Sequence, residues 1–430
     1  MSLSPQTRAR LRQSAITPLL VCVLALAALV AATTAVASVL SSGATAPKPI
    51  TLQGLAEQLV RAQAPQVLSG RFDLVNHLLP SGQHDAGGDQ PSSPLQSGGS
   101  GRFWYQAPDR LRVELQGSGG DIQIVRDGRL LWFYDPATRT ANRIALPAAQ
   151  TKTKTTSEPP HQPPTSQQIA DSIARLQQHW NVSGPTPTVQ GNRRAYALAL
   201  APHDAGSLLA SVVGAVDSAT GIPLRFELHA VGVKDPVISL AITDLNTTSA
   251  DPSVFAFAPP SGTKVDSTTL QNLLPGVNGA TAKTARATSR HGSRHAQPAA
   301  TLASARRVAK FALVAPQAAG TRSLSGIQAG AHTALLRYGD GPGTIVVLER
   351  AAAQPKPVGT ASVPGHKASS KDSGRAALPT VTLPGGVAAQ ELSTPLGTVL
   401  SWRHGGVSFL VAGSRPAAEV LGVAQALAAS

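Results

Sequence analysis

Between Val67 and Leu245 apolar and polar residues alternate with a period of two in one short run after another, and turn residues separate the runs. The clearest case is Asp121 to Pro136, DIQIVRDGRLLWFYDP. Ile122 and Ile124, then Leu130, Trp132 and Tyr134, alternate with their neighbours as half-buried strands require, and Asp127-Gly128 supplies the positive-φ pair of a two-residue hairpin turn. Trp132 and Tyr134 share one side of the second strand and Phe133 takes the other, so both sides of this sheet carry apolar surface.

The same alternation predicts strands at Val67 to Leu78, Arg102 to Gln106, Arg110 to Leu115, Thr138 to Leu146, Arg193 to Leu200, Leu209 to Asp217, Leu224 to Ala230 and Val237 to Leu245. Two helices interrupt them. Leu52, Leu55, Leu59 and Val60 fall near helical spacing in Thr51 to Gln63, and Thr165-x-x-Gln168 is a capping box followed by the stripe Ile169, Ile173, Leu176, Trp180. Ser253 to Val265 closes the region, with Phe255 and Phe257 on one face and a Pro-Pro stop. Consecutive strands, short turns and two helices predict an α+β unit, a curved antiparallel half-barrel covered on its concave side by helices. A second, smaller α+β unit follows, with strands at Ala334 to Tyr338, Thr344 to Glu349, Gln390 to Ser393, Gly397 to Arg403 and Val407 to Ala412. It ends in a helix, Pro416 to Ala428, whose Val420, Val423 and Leu427 lie on one side. The expected organisation is thus 1–50, an N-terminal signal or anchor with a linker; 51–266, the half-barrel; 267–309, a basic tether; and 310–430, the smaller unit, with a low-complexity insert at 351–376.

Composition changes this picture mainly at its ends. The 430 residues are 42% hydrophobic, but 39 Gly and 34 Pro dilute them and aromatics are only 4%, so part of the chain is linker. Arg8, Arg10 and Arg12 precede an apolar run from Ile16 to Ala37, the order of an export signal or membrane anchor, which places the remainder outside the cytoplasm. Ala35-Val36-Ala37 is a usable cleavage site, while the run is close to the length that spans a bilayer; both readings stand. The lone Cys22 lies inside that run, which excludes a disulfide framework and a cysteine-based zinc site. The net charge of +14 is concentrated in part between Lys283 and Lys310, a stretch with seven Lys and Arg and no acid. It reads as a solvated tether suited to an anionic membrane surface; nucleic acid is not expected, since no aromatic is interleaved with the charge.

Catalytic motifs are missing. No His-Glu-x-x-His, Gly-x-Ser-x-Gly or Gly-x-x-x-x-Gly-Lys occurs, Gly339-Asp340-Gly341-Pro342-Gly343 has the spacing of a turn and not of a phosphate loop, and the paired His291 and His295 sit in the tether. No enzyme activity, cofactor or metal is expected.

GSGRFWYQAPDRLRVELQ, DGRLLWFYDP and, about 120 residues on, FAFAPPSGTKVDS resemble the LolA lipoprotein-carrier family over about Leu52 to Asp266. VSFLVAGSRPAAEVLGVAQAL is similar to the end of the MucB/RseB envelope-stress regulators, whose order of a LolA-like domain and a smaller one matches this chain better. The resemblance implies a non-enzymatic half-barrel with an apolar cavity for a lipid, an acyl chain or a lipidated protein. Alternatively, it implies a regulator that binds a membrane anti-sigma factor or transporter. Ala107 stands where LolA has a cavity arginine before the proline, so that residue's role is not carried over. The candidate cavity lining is Phe72, Phe103, Leu111, Val113, Trp132, Tyr134, Ile169, Ile173, Phe226, Phe255 and Phe257.

Overall fold

A computed structural model describes residues 45–63, 65–78, 93–118, 120–146, 164–247, 251–269, 301–351 and 378–430. The apolar run Ile16 to Ala37, Cys22, His291, His295, most of the basic tether and the insert lie outside the described residues. Among the described residues no helix is long and apolar enough to cross a membrane.

Twelve strands form the first sheet. They are β1 (Val67–Asn76), β2 (Gly99–Gln106), β3 (Arg110–Gly117), β4 (Gly120–Asp127), β5 (Leu130–Asp135), β6 (Thr140–Ala145), β7 (Trp180–Gln190), β8 (Arg193–Pro202), β9 (Leu209–Asp217), β10 (Pro223–Ala230), β11 (Ile238–Asn246) and β12 (Lys264–Thr269). Their spatial order is β12-β6-β5-β4-β3-β2-β1-β11-β10-β9-β8-β7. Every pairing is antiparallel except β12 with β6, because the chain returns to that edge through the long segment after β11. The sheet is curled. Three strands separate β7 from β11 in the order, yet the Gln190 side chain at the end of β7 donates from Nε2 to the Ile242 carbonyl of β11 at 2.8 Å. Gly191 makes that approach possible: its φ is +56°, and a Cβ there would stand 2.8 Å from the same carbonyl oxygen.

Three helices accompany this sheet. α1 (Leu52–Arg61) and α3 (Ser166–Gln177) pack on one another and on β7, and the short α2 (Pro94–Ser97) lies on β1, β3 and β4. The capping box forms as expected, with Thr165 Oγ1 accepting from the Gln168 amide and Gln168 Oε1 from the Thr165 amide. Two local expectations are corrected. Asp127 pairs with Leu130, so the hairpin turn is Gly128-Arg129 and only Gly128, at φ +58°, is left-handed; one glycine at the first turn position suffices. Trp180 does not extend the stripe of α3 but opens β7, an edge strand that tolerates Pro185 and Pro187 because only one of its sides is paired. Pro252–Phe255 is a single 3-10 turn capped by Asp251, whose carboxylate accepts from the Ser253 amide.

The second sheet has eight strands: β13 (Ala318–Ala319), β14 (Arg322–Ala329), β15 (Thr333–Tyr338), β16 (Ile345–Ala351), β17 (Thr380–Leu383), β18 (Val387–Thr394), β19 (Gly397–His404) and β20 (Val407–Gly413), in the order β13-β14-β15-β16-β20-β19-β18-β17. One face is sealed by α5 (Ala417–Ala428), with α4 (Leu302–Val308) beside it; Leu336, Ile345, Val347, Leu400 and Val411 meet Val420, Val423 and Ala424 with none of their surface exposed. Where the two sheets meet, the β8–β9 connection hydrogen-bonds to the end of β20, Leu208 N–H to the Ser414 carbonyl and Leu209 N–H to Ser414 Oγ, both at 3.1 Å. Arg415, 1% exposed, lies against the Asp204 carboxylate and donates from Nε to the Gly343 carbonyl. Arg322 bridges Asp204 at 3.8 Å and Glu419 at 3.0 Å.

Candidate functional site

Strand register sorts the side chains of the curled sheet into two faces. Directly paired residues project to the same side. The chain of pairs Leu111–Tyr105–Leu68, Val113–Phe103–Gly70 and Leu115–Gly101–Phe72 therefore assigns these residues to one face. Ile122, Ile124, Leu131, Phe133 and Ile144 extend it toward β6, and Ile242, Leu240, Phe226, Gly214 and Leu198 extend it toward β8. This is the concave face. The curl packs its lower part: Leu68, Ile222, Leu224, Ile242 and Leu245 form one buried cluster with Phe103 and Tyr105 against it, and Ala195, which register sets on the side of β8 opposite to Leu198, joins it where the strands close up. α2 adds Leu95 to a second cluster, Phe72, Leu115 and Ile122.

Toward the other end of β8 to β11 the same face is not filled. Leu198, Leu200, Val212, Phe226 and Leu240 are each only half-buried, although their register sets them side by side in a wholly apolar trough. Gly214, between Leu198 and Phe226, widens the trough: a Cβ built there would meet its nearest neighbour at 3.6 Å, an ordinary contact. The open part of the concave face is thus lined by carbon alone.

The eleven residues expected to share one cavity do not share one face. Phe72, Phe103, Leu111, Val113 and Phe226 are concave. Trp132 and Tyr134 pair with Val125 and Gln123 on the convex face. There Phe257 packs on both rings, at 5.5 and 5.7 Å between centroids, and Arg143 lies over Trp132. Phe255, 1% exposed, is held on the same side, since Arg112 of the convex face donates to the Val254 carbonyl at 3.1 Å. Segment 251–263 is therefore a strap over the back of β3 to β6. Ile169 is buried and Ile173 half-buried in α3, against α1 and β7. Leu198, Leu200 and Val212 were outside the expected set; the alternation of ALALA and ASVV carried them, but nothing in it told inward from outward.

One buried polar cluster is also convex. Glu227 of β10, 5% exposed, accepts from Arg225, Ser239 and His229. Burial pushes its carboxyl upward, and the hydrogen bonds from Arg225 and His229 outweigh that and hold it below the usual carboxylate value. Serine, histidine and a carboxylate meet here in the wrong order for nucleophilic catalysis, because Ser239 donates to the glutamate and not to the imidazole. Among the described residues no group of three or more His, Cys, Asp and Glu is placed to hold a metal ion. Two other hollows lie away from the trough: one of about 170 Å³ beside Trp402, Phe409 and Leu427, and one of about 410 Å³ between α1 and Ala219.

No protein-family profile and no curated protein matches the chain in sequence. Solved structures do. The MucA/MucB complex of Pseudomonas aeruginosa matches at 15% identity and a TM-score of 0.35 over 86% of this chain and 96% of that one. MucB in complex with a periplasmic MucA fragment matches at 16% and 0.36 over 86% and 94%. A LolA superfamily protein from Nitrosomonas europaea matches at 14% and 0.20 over 48% of this chain and 98% of its own. The chain is thus similar to structures of the two families its motifs resemble, at TM-scores that leave the reading of its site to its own residues.

Proposed function

We propose that the chain is an extracytoplasmic, non-enzymatic binding protein that takes an acyl chain, of a lipid or a lipidated polypeptide, in the trough of its curled sheet. The observation that carries this is the half-buried row Leu198, Leu200, Val212, Phe226 and Leu240 on a face whose remaining part is closed by the curl. Such a surface has no hydrogen-bonding group to select a polar ligand, and an acyl chain gains roughly 0.8 kcal/mol for each methylene it buries. A dozen carbons would gather about 10 kcal/mol before ordering costs, with no arginine required. The Arg8, Arg10, Arg12 and apolar Ile16 to Ala37 order supports a place outside the cytoplasm. In this reading the binding unit runs from 51 to the end of β12 at Thr269, the second unit takes in α4 and so spans 301–430, and the tether is the basic sequence between them.

Native mass spectrometry of the chain purified without detergent is expected to show bound lipid, and titration with a fluorescent fatty acid to give saturable binding. Gly214→Phe fills the trough from a position with room for a side chain, and should weaken that binding at least tenfold with the circular dichroism unchanged. A parent chain that takes up no acyl probe, or a G214F chain that binds it as well, would overturn the reading.

A further inference from the structure

The eight-stranded sheet has two unlike faces, and only one is accounted for. α4 and α5 both pack into the core on one side. On the other side Leu335, Leu348 and Leu410 stand directly beside one another on β15, β16 and β20, with Val346 and Val399 in the next row. None of the five is buried, and Leu410 is 40% exposed. An antiparallel sheet with one face toward water ordinarily alternates apolar and polar positions, and this one presents leucine to both sides.

Charge on that outer face has one sign. Arg337 pairs with Val346, and Arg350 and Arg403 flank Ser408 in the end row. All three are exposed. On β14, β15, β16, β19 and β20 no outward position is Asp or Glu. The end row is also where the basic run from Lys283 arrives: exposed Lys310 hydrogen-bonds through its amide to the Ala331 carbonyl, next to exposed His332, whose carbonyl accepts from Ala351. This end is remote from the first sheet, which meets β16 and β20 at their opposite ends through Gly343 and Ser414.

A second copy of the face is a poor occupant, because a face without acids offers its own arginines no partner whichever way the two-fold runs. Leucines framed by guanidinium groups instead match the boundary between acyl chains and phosphates, where a flat surface needs no specific partner geometry. We propose that the outer face of the eight-stranded sheet docks on an anionic lipid bilayer, with Arg350 and Arg403 on phosphates and Leu410 at the acyl boundary. The proposal is independent of any ligand in the trough of the other sheet.

The test reads the face directly, so that insertion of the N-terminal apolar run does not confuse it. In a full-length Cys22→Ser background, an environment-sensitive nitrobenzoxadiazole group is placed at Leu410→Cys or, on the solvent side of α5, at Ala418→Cys. Phosphatidylcholine vesicles are added with and without phosphatidylglycerol. The Leu410→Cys label is expected to shift to the blue only with the anionic vesicles, while the Ala418→Cys label stays unchanged. Arg350→Glu with Arg403→Glu should weaken the response roughly tenfold or more, and salt near 1 M should remove it. These arginines are exposed, so the variant is expected to fold, and circular dichroism checks that. A silent Leu410→Cys label on a chain that floats with anionic vesicles overturns the proposal, as does an equal shift with neutral lipid or a response untouched by the double variant. A shift produced by an acidic amphipathic peptide and not by vesicles also overturns it, in favour of a protein partner.

Discussion

The two sheets solve the same problem in opposite ways. The eight-stranded sheet closes one face with a helix: Val420, Val423 and Ala424 of α5 reach zero exposure against Leu336, Val347 and Leu400. The twelve-stranded sheet closes its inner face by bending, and bending is incomplete cover. It brings Gln190 to Ile242 and buries Leu245 and Leu224, but leaves Leu198, Phe226 and Leu240 half-buried. A sheet capped by a fitted helix shields its inner side chains from water almost completely, whereas one that curls over its own side chains leaves apolar residues half-buried at the end the curl does not reach.

Removing the same side chain from both sheets exposes the contrast most strongly. Leu336→Ala, from a fully buried position, should cost roughly 3 to 4 kcal/mol through lost transfer energy and a cavity that α5 cannot collapse. Leu198→Ala, from the trough, should cost about 1 kcal/mol, since water already reaches the site. Urea denaturation followed by circular dichroism measures both, and equal costs would mean that the trough is packed as tightly as the core.

The closed sheet carries one polar group that the open one would tolerate better. Glu349 has no exposed surface, its Oε2 accepts from the Val314 amide at 3.0 Å, and its Oε1 has no partner among the described residues. Burial pushes its carboxyl up to about 7, against the single opposing hydrogen bond. The sign follows from linkage. Below pH 4.5 the group is protonated in both states; as pH rises toward 7 the unfolded chain ionises while the folded one does not, so stability falls through that window and is level above it. The loss amounts to roughly 3 kcal/mol. Glu349→Gln should abolish the fall, which denaturation midpoints at pH 4.5 and pH 8 would show.

How much of this was legible in the sequence depends on which link is asked for. Alternation located β3 to β6 and β8 to β11 because it is a local property. It also placed Trp132 and Phe133 on opposite sides. It could not say which side faces inward: that is decided by registers summed across eleven strand pairs and by the direction of curl, so Trp132 and Tyr134 were grouped with Phe72 although they face away from it. β7 was hidden because Gly184, Pro185 and Pro187 read as linker when pairing on one side only is not foreseen. β14, RSLSGIQA, was hidden because its core positions are Leu324 and Ile327, out of phase across a bulge.

Asp204 belongs to the open sheet, and it is the acid set against the buried Arg415 of the closed one. Asp204→Asn leaves that guanidinium with Glu419 at 3.7 Å and the Gly343 carbonyl, and because Asp204 is itself 30% exposed the cost should be near 2 kcal/mol and not the larger penalty of a fully buried pair. The expected readout is a larger radius of gyration in small-angle scattering with both sheets intact by circular dichroism. An unchanged radius would mean that the Ser414 hydrogen bonds alone hold the arrangement.

The smallest effect separates the helices of the two sheets. α5 buries Val420, Val423, Ala424 and Leu427 and has no side-chain hydrogen bond at its N-terminus, so packing holds it. α3 buries only Ile169 and has a complete capping box, so its ends matter more than its face. Thr165→Ala removes the acceptor for the Gln168 amide and should cost about 1 kcal/mol. With so little tertiary burial to compensate, that loss should appear as faster amide exchange confined to α3, while α5 exchanges at the parent rate. If α3 keeps its protection, then something other than its own cap and Ile169 covers it, and the open end of the curled sheet is less open than its half-buried leucines indicate.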